Sequence, residues 1–175
     1  MKSIWTFTFF FSFSILFAQT SDRHLRKIDM YAYKIDSSHL HFDSLKFTFD
    51  SITVKIKIYN DKLFSISHFA NSNTDLTISY YLKDKKLILV RVSEQSPVFD
   101  DLYNYSYFYI SNNKIISEKC RLNLRPCMAI PLDKDIYELF GYNKTFNRDF
   151  LKQYIFNLHD KIKLQLTKDI TNGGF

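Results

Sequence analysis

Three stretches of the chain alternate apolar and polar residues at the period of two that a half-buried β-strand requires, and each is interrupted by a short polar turn before the alternation resumes. The first reads Ile52-Thr-Val-Lys-Ile-Lys-Ile-Tyr59, turns at Asn60-Asp61-Lys62 and resumes over residues 63–69. The second covers 76–82, turns at Lys83-Asp84-Lys85-Lys86 and resumes over 87–92. The third covers 103–110, turns at Ser111-Asn112-Asn113-Lys114 and resumes over 115–119. Asn and Asp stand where a tight hairpin needs positive φ, a role Gly fills more often. Repetition of one hairpin design across residues 52–119 predicts an antiparallel β-meander of about six strands.

The period changes toward the C-terminus. Phe146, Phe150, Leu151, Tyr154, Ile155, Leu158, Ile162 and Leu166 recur at spacings of three and four, one face of an amphipathic helix, with Thr145 or Asn147 placed to cap its start. A short helix at about 134–140, with Asp133 as N-cap and Gly141 as its stop, completes a helical part over 133–168. A sheet must bury at least one face, and a helix of roughly twenty residues, about 30 Å long, is the available cover. The expected class is therefore α+β, a single domain over residues 19–175.

Residues 22–51 form an N-terminal segment with a different regularity: Asp22, Asp29, Asp36, Asp43 and Asp50 recur every seven residues. His24, Tyr31, Ser38, Leu45 and Ile52 provide no steady apolar seam between them, which argues against a coiled coil. The Asp-Ser steps at 36, 43 and 50 suit turns. Residues 36–50 read as short extended pieces entering the sheet, and 22–35 fit helix and strand equally.

Lys2, a Phe-rich apolar stretch over 4–17 and Ala18 before Gln19 have the layout of a secretory signal peptide over residues 1–18. Fourteen residues make a helix of about 21 Å, short of a hydrocarbon core of about 30 Å, so no stable membrane anchor is expected after cleavage. The expected location is periplasmic or extracellular. No Cys follows the cut, so lipid modification is not supported.

Hydrophobic residues at 46%, with only three Gly and three Pro, exclude a disordered or linker-like chain. The net charge of +6 is carried by cations interleaved with Asp, a poor footprint for nucleic acid. Cys120 and Cys127, the only cysteines, read as one disulfide closing the loop 121–126 in an exported protein.

Candidate chemistry is sparse. His39, His41 and Asp43 alternate as three ligands on one strand face would, a weak metal candidate beside the plainer reading of a solvated surface. Tyr103, Tyr105, Tyr107 and Tyr109 put four phenols on one side of a strand, either as a face for stacking on sugars or gripping a peptide, or packed beneath the C-terminal helix with Asn104 and Ser106 on the wet side. Glu94, Asp100 and Asp101 around Pro97 are the carboxylates available to pair in a hydrolase. No nucleophile elbow, phosphate loop or zinc-protease motif occurs, and no cofactor is implied.

The hairpins Tyr80-Tyr-Leu-Lys-Asp-Lys-Lys-Leu-Ile-Leu-Val90 and Tyr107-Phe-Tyr-Ile-Ser-Asn-Asn-Lys-Ile-Ile116 resemble small secreted bacterial proteins of unassigned function over residues 52–119. The resemblance implies location and shape, without an activity. The expected function is non-enzymatic recognition of a protein or glycan partner outside the cytoplasm. Two rivals stand beside it: a carrier holding an apolar ligand between sheet and helix, and a small hydrolase using 94–101 or 39–43. Cleavage before Gln19 removes Trp5, the sole tryptophan, so exported protein is expected to emit only tyrosine fluorescence; tryptophan emission would show that the leader is retained.

Overall fold

The computed structural model describes residues 22–38, 43–59, 61–124 and 133–171. The leader, His39, His41 and Cys127 lie outside the described residues. Strands β1 (Asp43–Phe49), β2 (Ile52–Tyr59), β3 (Lys62–Phe69), β4 (Asp75–Lys83), β5 (Lys86–Gln95), β6 (Tyr103–Ser111) and β7 (Lys114–Leu122) form one sheet. All neighbours pair antiparallel in sequence order, so the sheet is a seven-stranded meander. Helix α1 spans residues 22–36, α2 is Ile136–Phe140 and α3 is Arg148–Thr171. The α+β class holds, with one strand more than the hairpin repeat predicts.

The extra strand is β1, whose Leu45, Phe47 and Phe49 alternate with Ser44, Lys46 and Thr48 and pack against the same core as the hairpins. Its turn to β2 is Asp50-Ser51, with φ of 46° and 64°. Asp84-Lys85 and Asn112-Asn113 repeat that geometry, positive φ at both central residues, as two-residue hairpins require. None of the three pairs contains Gly, so each holds L-residues in a region that disfavours them.

Alternation along the strands gives the sheet two unlike faces. One carries Val54, Ile56, Leu76, Ile78, Tyr80, Val90, Val92 and Phe108, all buried against Leu151, Tyr154, Ile155, Leu158 and Ile162 of α3. The Tyr80 hydroxyl donates to the Ile155 carbonyl at 3.0 Å, and the Phe69 ring meets Phe146, Phe150 and Tyr154. Asn147 caps α3, its side chain accepting from the Phe150 amide at 3.0 Å. Charge pairs mark the two ends of the docked helix: Arg148 and Lys152 reach Glu118 on β7, and Lys161 reaches Asp50 at the β1–β2 turn.

On the other face lies α1, which settles the undecided segment as a helix: Leu25, Ile28, Ala32 and Ile35 recur at helical spacing and pack on Tyr81, Leu89 and Tyr109. A smaller cluster of Leu102, Phe140 and Tyr142 closes one end of the molecule. The N-cap of α2 is Asp135, accepting from the Tyr137 amide at 3.0 Å, and Asp133 lies two residues outside it. Gly141 ends α2 at φ 71°, where an added Cβ would stand 2.7 Å from Pro97 Cγ. Both the dihedral and the contact require glycine there.

His159 lies within the α3 interface, 4% exposed, its ring 5.2 Å from that of Tyr80 and its Nε2 without a partner. Burial, aided by Lys163 and opposed by Asp160, lowers its pKa to about 4. The unfolded chain takes up this proton near the ordinary value of about 6.5, so its contribution to stability is complete above that pH and is lost as pH falls toward 4, on the order of 3 kcal/mol. His159→Phe, which keeps a ring on Tyr80, is expected to flatten the fall of urea midpoint between these pH values; an unchanged slope would contradict the buried neutral imidazole. Leu158→Ala should cost about 2 to 5 kcal/mol in the same assay.

Candidate functional site

Strand register lays out the face opposite α3 as rows of side chains crossing the sheet. The first row is Lys62, Tyr81, Leu89 and Tyr109, and α1 lies on it. The second is Phe64, Ser79, Arg91, Tyr107 and Lys119; the third is Ile66, Thr77, Ser93, Tyr105 and Arg121. Beyond them stand His68 opposite Asp75 and Gln95 opposite Tyr103.

Beyond its apolar contacts, α1 is held over the first row chiefly by one carboxylate. Asp36, in the last turn of α1, accepts from Lys62 Nζ at 2.5 Å, from the Tyr81 hydroxyl at 2.9 Å and from Arg91 Nη1 at 2.8 Å. Burial alone would raise its pKa, but the bonds from Lys62, Tyr81 and Arg91 outweigh it and hold the carboxyl below the usual range. Tyr81, fully buried, has its phenol pushed far up by desolvation and by Asp36. Asp29 adds a second tie, accepting from the Tyr109 hydroxyl at 2.8 Å, and the Tyr31 hydroxyl donates to the Leu82 carbonyl at 2.9 Å.

The remaining rows form a trough. Along β4 and β5 the open part of the floor is short, Thr77 and Ser93 with Gln95 beyond, while Ser79 is buried and Arg91 lies across the second row against Tyr107; Phe64 and Ile66 on β3 stand on one side and Tyr103, Tyr105 and Tyr107 on β6 on the other. At about 4.8 Å per strand the two walls are about 14 Å apart. The tyrosines form a ladder, Tyr103 stacked on Tyr105 with centroids 5.8 Å apart and Tyr105 against Tyr107 at 6.2 Å. Tyr109, the fourth of the predicted stripe, is buried beneath α1 and separated from solvent.

Two concavities open on this face. One of about 650 Å³ is bordered by Ile66, His68, Thr77, Ser93, Gln95 and Tyr103. Another of about 730 Å³ lies between α1 and β7, with Met30 and Tyr33 on the helix side and Arg91, Tyr107, Lys119 and Arg121 on the strand side. Met30 and Tyr33 are each 73% exposed, large apolar groups left in water beside an aromatic floor. The Arg91 guanidinium is held 5.2 Å from the Tyr81 centroid and 5.5 Å from that of Tyr107.

The stripe thus lies on the face away from the C-terminal helix, and the residues beside it, Asn104 and Ser106, do not form a wet face: Ser106 is buried, with its hydroxyl 3.8 Å from Cys120 Sγ. The carboxylates around Pro97 do not converge. Glu94, 3% exposed, turns toward the α3 side, where it accepts from Thr74 Oγ1 at 2.6 Å and the Asn143 amide at 2.7 Å; burial raises its pKa against these bonds. Its role is to pin the loop that leads into α3. Asp100 borders the open trough instead, its carbonyl accepting from Gln95 Nε2 at 2.6 Å.

Asp43 opens β1, while its proposed co-ligands His39 and His41 lie outside the described residues; no group of three metal-ligating side chains occurs among those described. Cys120 is exposed on β7 and Cys127 lies outside the described residues. Arg91, Lys119, Arg121, Thr77 and Ser93 were not singled out by sequence. A lone Arg inside the apolar run Leu87-Ile-Leu-Val-Arg-Val92 is the signal that could have found the first of them.

The chain matches no protein-family model, no curated protein and no solved structure. Asp36→Ala leaves the Tyr81 hydroxyl buried without its acceptor, a loss of about 1 to 3 kcal/mol. Amide exchange in residues 22–36 should accelerate while α3 keeps its protection; equal acceleration in both helices would show that Asp36 serves the whole fold and not the seat of α1.

Proposed function

We propose that the chain is an exported, non-enzymatic recognition protein that engages a protein or glycan partner through the trough on the open sheet face. The observation that carries this reading is the tyrosine ladder: Tyr103 stacked on Tyr105 and Tyr105 tilted against Tyr107, all half-buried beside the hydroxyls of Thr77 and Ser93, with Tyr103 and Tyr105 outside the apolar clusters of α1 and α3. Aromatic rings present a flat apolar face with a polar rim and lose little entropy on binding, so they serve as contact anchors in interfaces of both kinds. Export follows from the leader-like residues 1–18, and among the described residues no helix is long and apolar enough to cross a membrane. In an oxidising compartment Cys120 and Cys127 would pair, tying the end of β7 to the segment that follows it.

The two rival readings find less support. A ligand carried between sheet and helix would occupy space that Tyr80, Ile78, Ile155, Leu158 and Ile162 fill, each at or near zero exposure. Hydrolysis at 94–101 would need Glu94 free and beside Asp100, and it is neither.

Tyr105 is the middle rung and its hydroxyl makes no hydrogen bond among the described residues, so Tyr105→Ala should leave the melting temperature within a few degrees. Against immobilised glycans and secreted polypeptides, it should weaken whichever partner the native protein captures by about tenfold, the equivalent of about 1.4 kcal/mol. A captured partner whose affinity is unaltered by this substitution would overturn the reading.

A further inference from the structure

Four cations away from the trough have carboxylate partners. Arg148 and Lys152 pair with Glu118, Lys161 with Asp50, and Lys144 with Asp135 and Glu138. On the open face, Lys119 and Arg121 on β7 stand beyond the tyrosine wall, and Lys46 and Lys55, directly opposite one another on β1 and β2, stand beyond the Phe64 and Ile66 wall. All four are exposed and none has a carboxylate partner among the described residues. Like charges set directly across a strand pair oppose folding, so the Lys46–Lys55 pair is an arrangement that folding alone does not favour. Three carboxylates near the trough are engaged, Asp36 with Lys62 and Arg91, Asp75 with His68, and Asp29 with the Tyr109 hydroxyl; Asp100 borders the end of the trough beyond Gln95, away from the four cations.

We infer that the trough takes an acidic polysaccharide, its sugar rings on Tyr103, Tyr105 and Tyr107, its hydroxyls on Thr77, Ser93 and Gln95, and its carboxylate or sulfate groups on Lys119 and Arg121 at one side and Lys46 and Lys55 at the other. The inference rests on the proposed recognition role of this face and names the chemistry of the partner. Lys55 and Arg121 share a row and are five strand spacings apart, about 24 Å, a span that only an oligomeric ligand bridges. A saccharide is favoured over an acidic polypeptide because the floor between the cations is hydroxyl and amide beside flat aromatic faces, which matches a ring with one apolar face and an equatorial belt of hydroxyls. A polypeptide strand would instead find its backbone partners at the sheet edges, β1 and β7.

The experiment uses the mature protein and four probes: polygalacturonate, dextran sulfate, amylose as a neutral glycan and polyglutamate as an acidic polypeptide. Binding to one or both acidic glycans is expected, at least about tenfold tighter than to amylose or polyglutamate, and weakening as salt rises from about 50 to about 500 mM. Which acidic glycan binds better separates carboxylate from sulfate. Lys119→Gln with Arg121→Gln, and separately Tyr105→Ala, should each weaken it by about tenfold, while Lys152→Gln on the helix side leaves it unchanged. Amylose bound as well as the acidic glycans, with loss in Tyr105→Ala alone, would overturn the acidic class and leave the recognition face standing. Equal or tighter binding of polyglutamate would overturn the saccharide, and capture of none of the four would overturn the inference. Acidic-glycan binding indifferent to Tyr105→Ala would overturn the inference and the recognition face together.

Discussion

A seven-stranded meander has two faces to cover and one long helix with which to cover them, and the rest of the molecule follows from that shortage. The long apolar face of α3 spans the sheet from Glu118 on β7 to Asp50 at the β1–β2 turn, and the core forms between them. Burial of apolar surface on that side stabilises the fold. The opposite face receives only α1, whose apolar cluster is centred on the row Tyr81, Leu89 and Tyr109, with Tyr107 of the next row at its margin. Beyond that row the side chains are mostly phenols, hydroxyls and cations, with Phe64 and Ile66 half-buried on β3.

The polar groups inside the protein divide along the same line. On the closed side they are structural: Glu94 holds the loop before α3, and His159 stays neutral against Tyr80. On the open side Asp36 gathers Lys62, Tyr81 and Arg91, and so positions both α1 and the arginine that lies against Tyr107. One carboxylate therefore links the seat of the N-terminal helix to the cationic end of the trough. Asp36 and Tyr107 both contact Arg91.

Much of this was legible in the sequence because the hairpins repeat a period of two around turns with Asn and Asp at the strained positions. The same pattern at Leu45, Phe47 and Phe49 marks β1 inside the 36–50 segment read as extended, although Asp36 belongs to the end of α1 and, of the three Asp-Ser steps, only Asp50-Ser51 falls inside a hairpin. The helical spacing of Leu25, Ile28, Ala32 and Ile35 was equally present and was masked by the seven-residue recurrence of Asp. Alternation places the four tyrosines on one side without saying which side, since β5 buries Leu89 on one face and Val90 on the other and so offers no polar edge to orient the sheet. Lys119 and Arg121 join the tyrosines only through the β6–β7 register, which a bulge at Tyr109 shifts. Asp135 replaced Asp133 as a cap because both carry the same side chain and only the chain path selects between them.

The central claim is that one face of the sheet is closed and the other is a recognition surface left open, and tyrosines report on both. Nitration with limiting tetranitromethane followed by peptide mapping reads each phenol in the free, native protein. Tyr33, Tyr103 and Tyr105 are expected to react, while Tyr80 beneath α3 and Tyr81 and Tyr109 beneath α1 remain unmodified until the chain unfolds. Modification of Tyr80 as fast as Tyr105, or protection of Tyr103 and Tyr105 in the absence of any partner, would contradict the account.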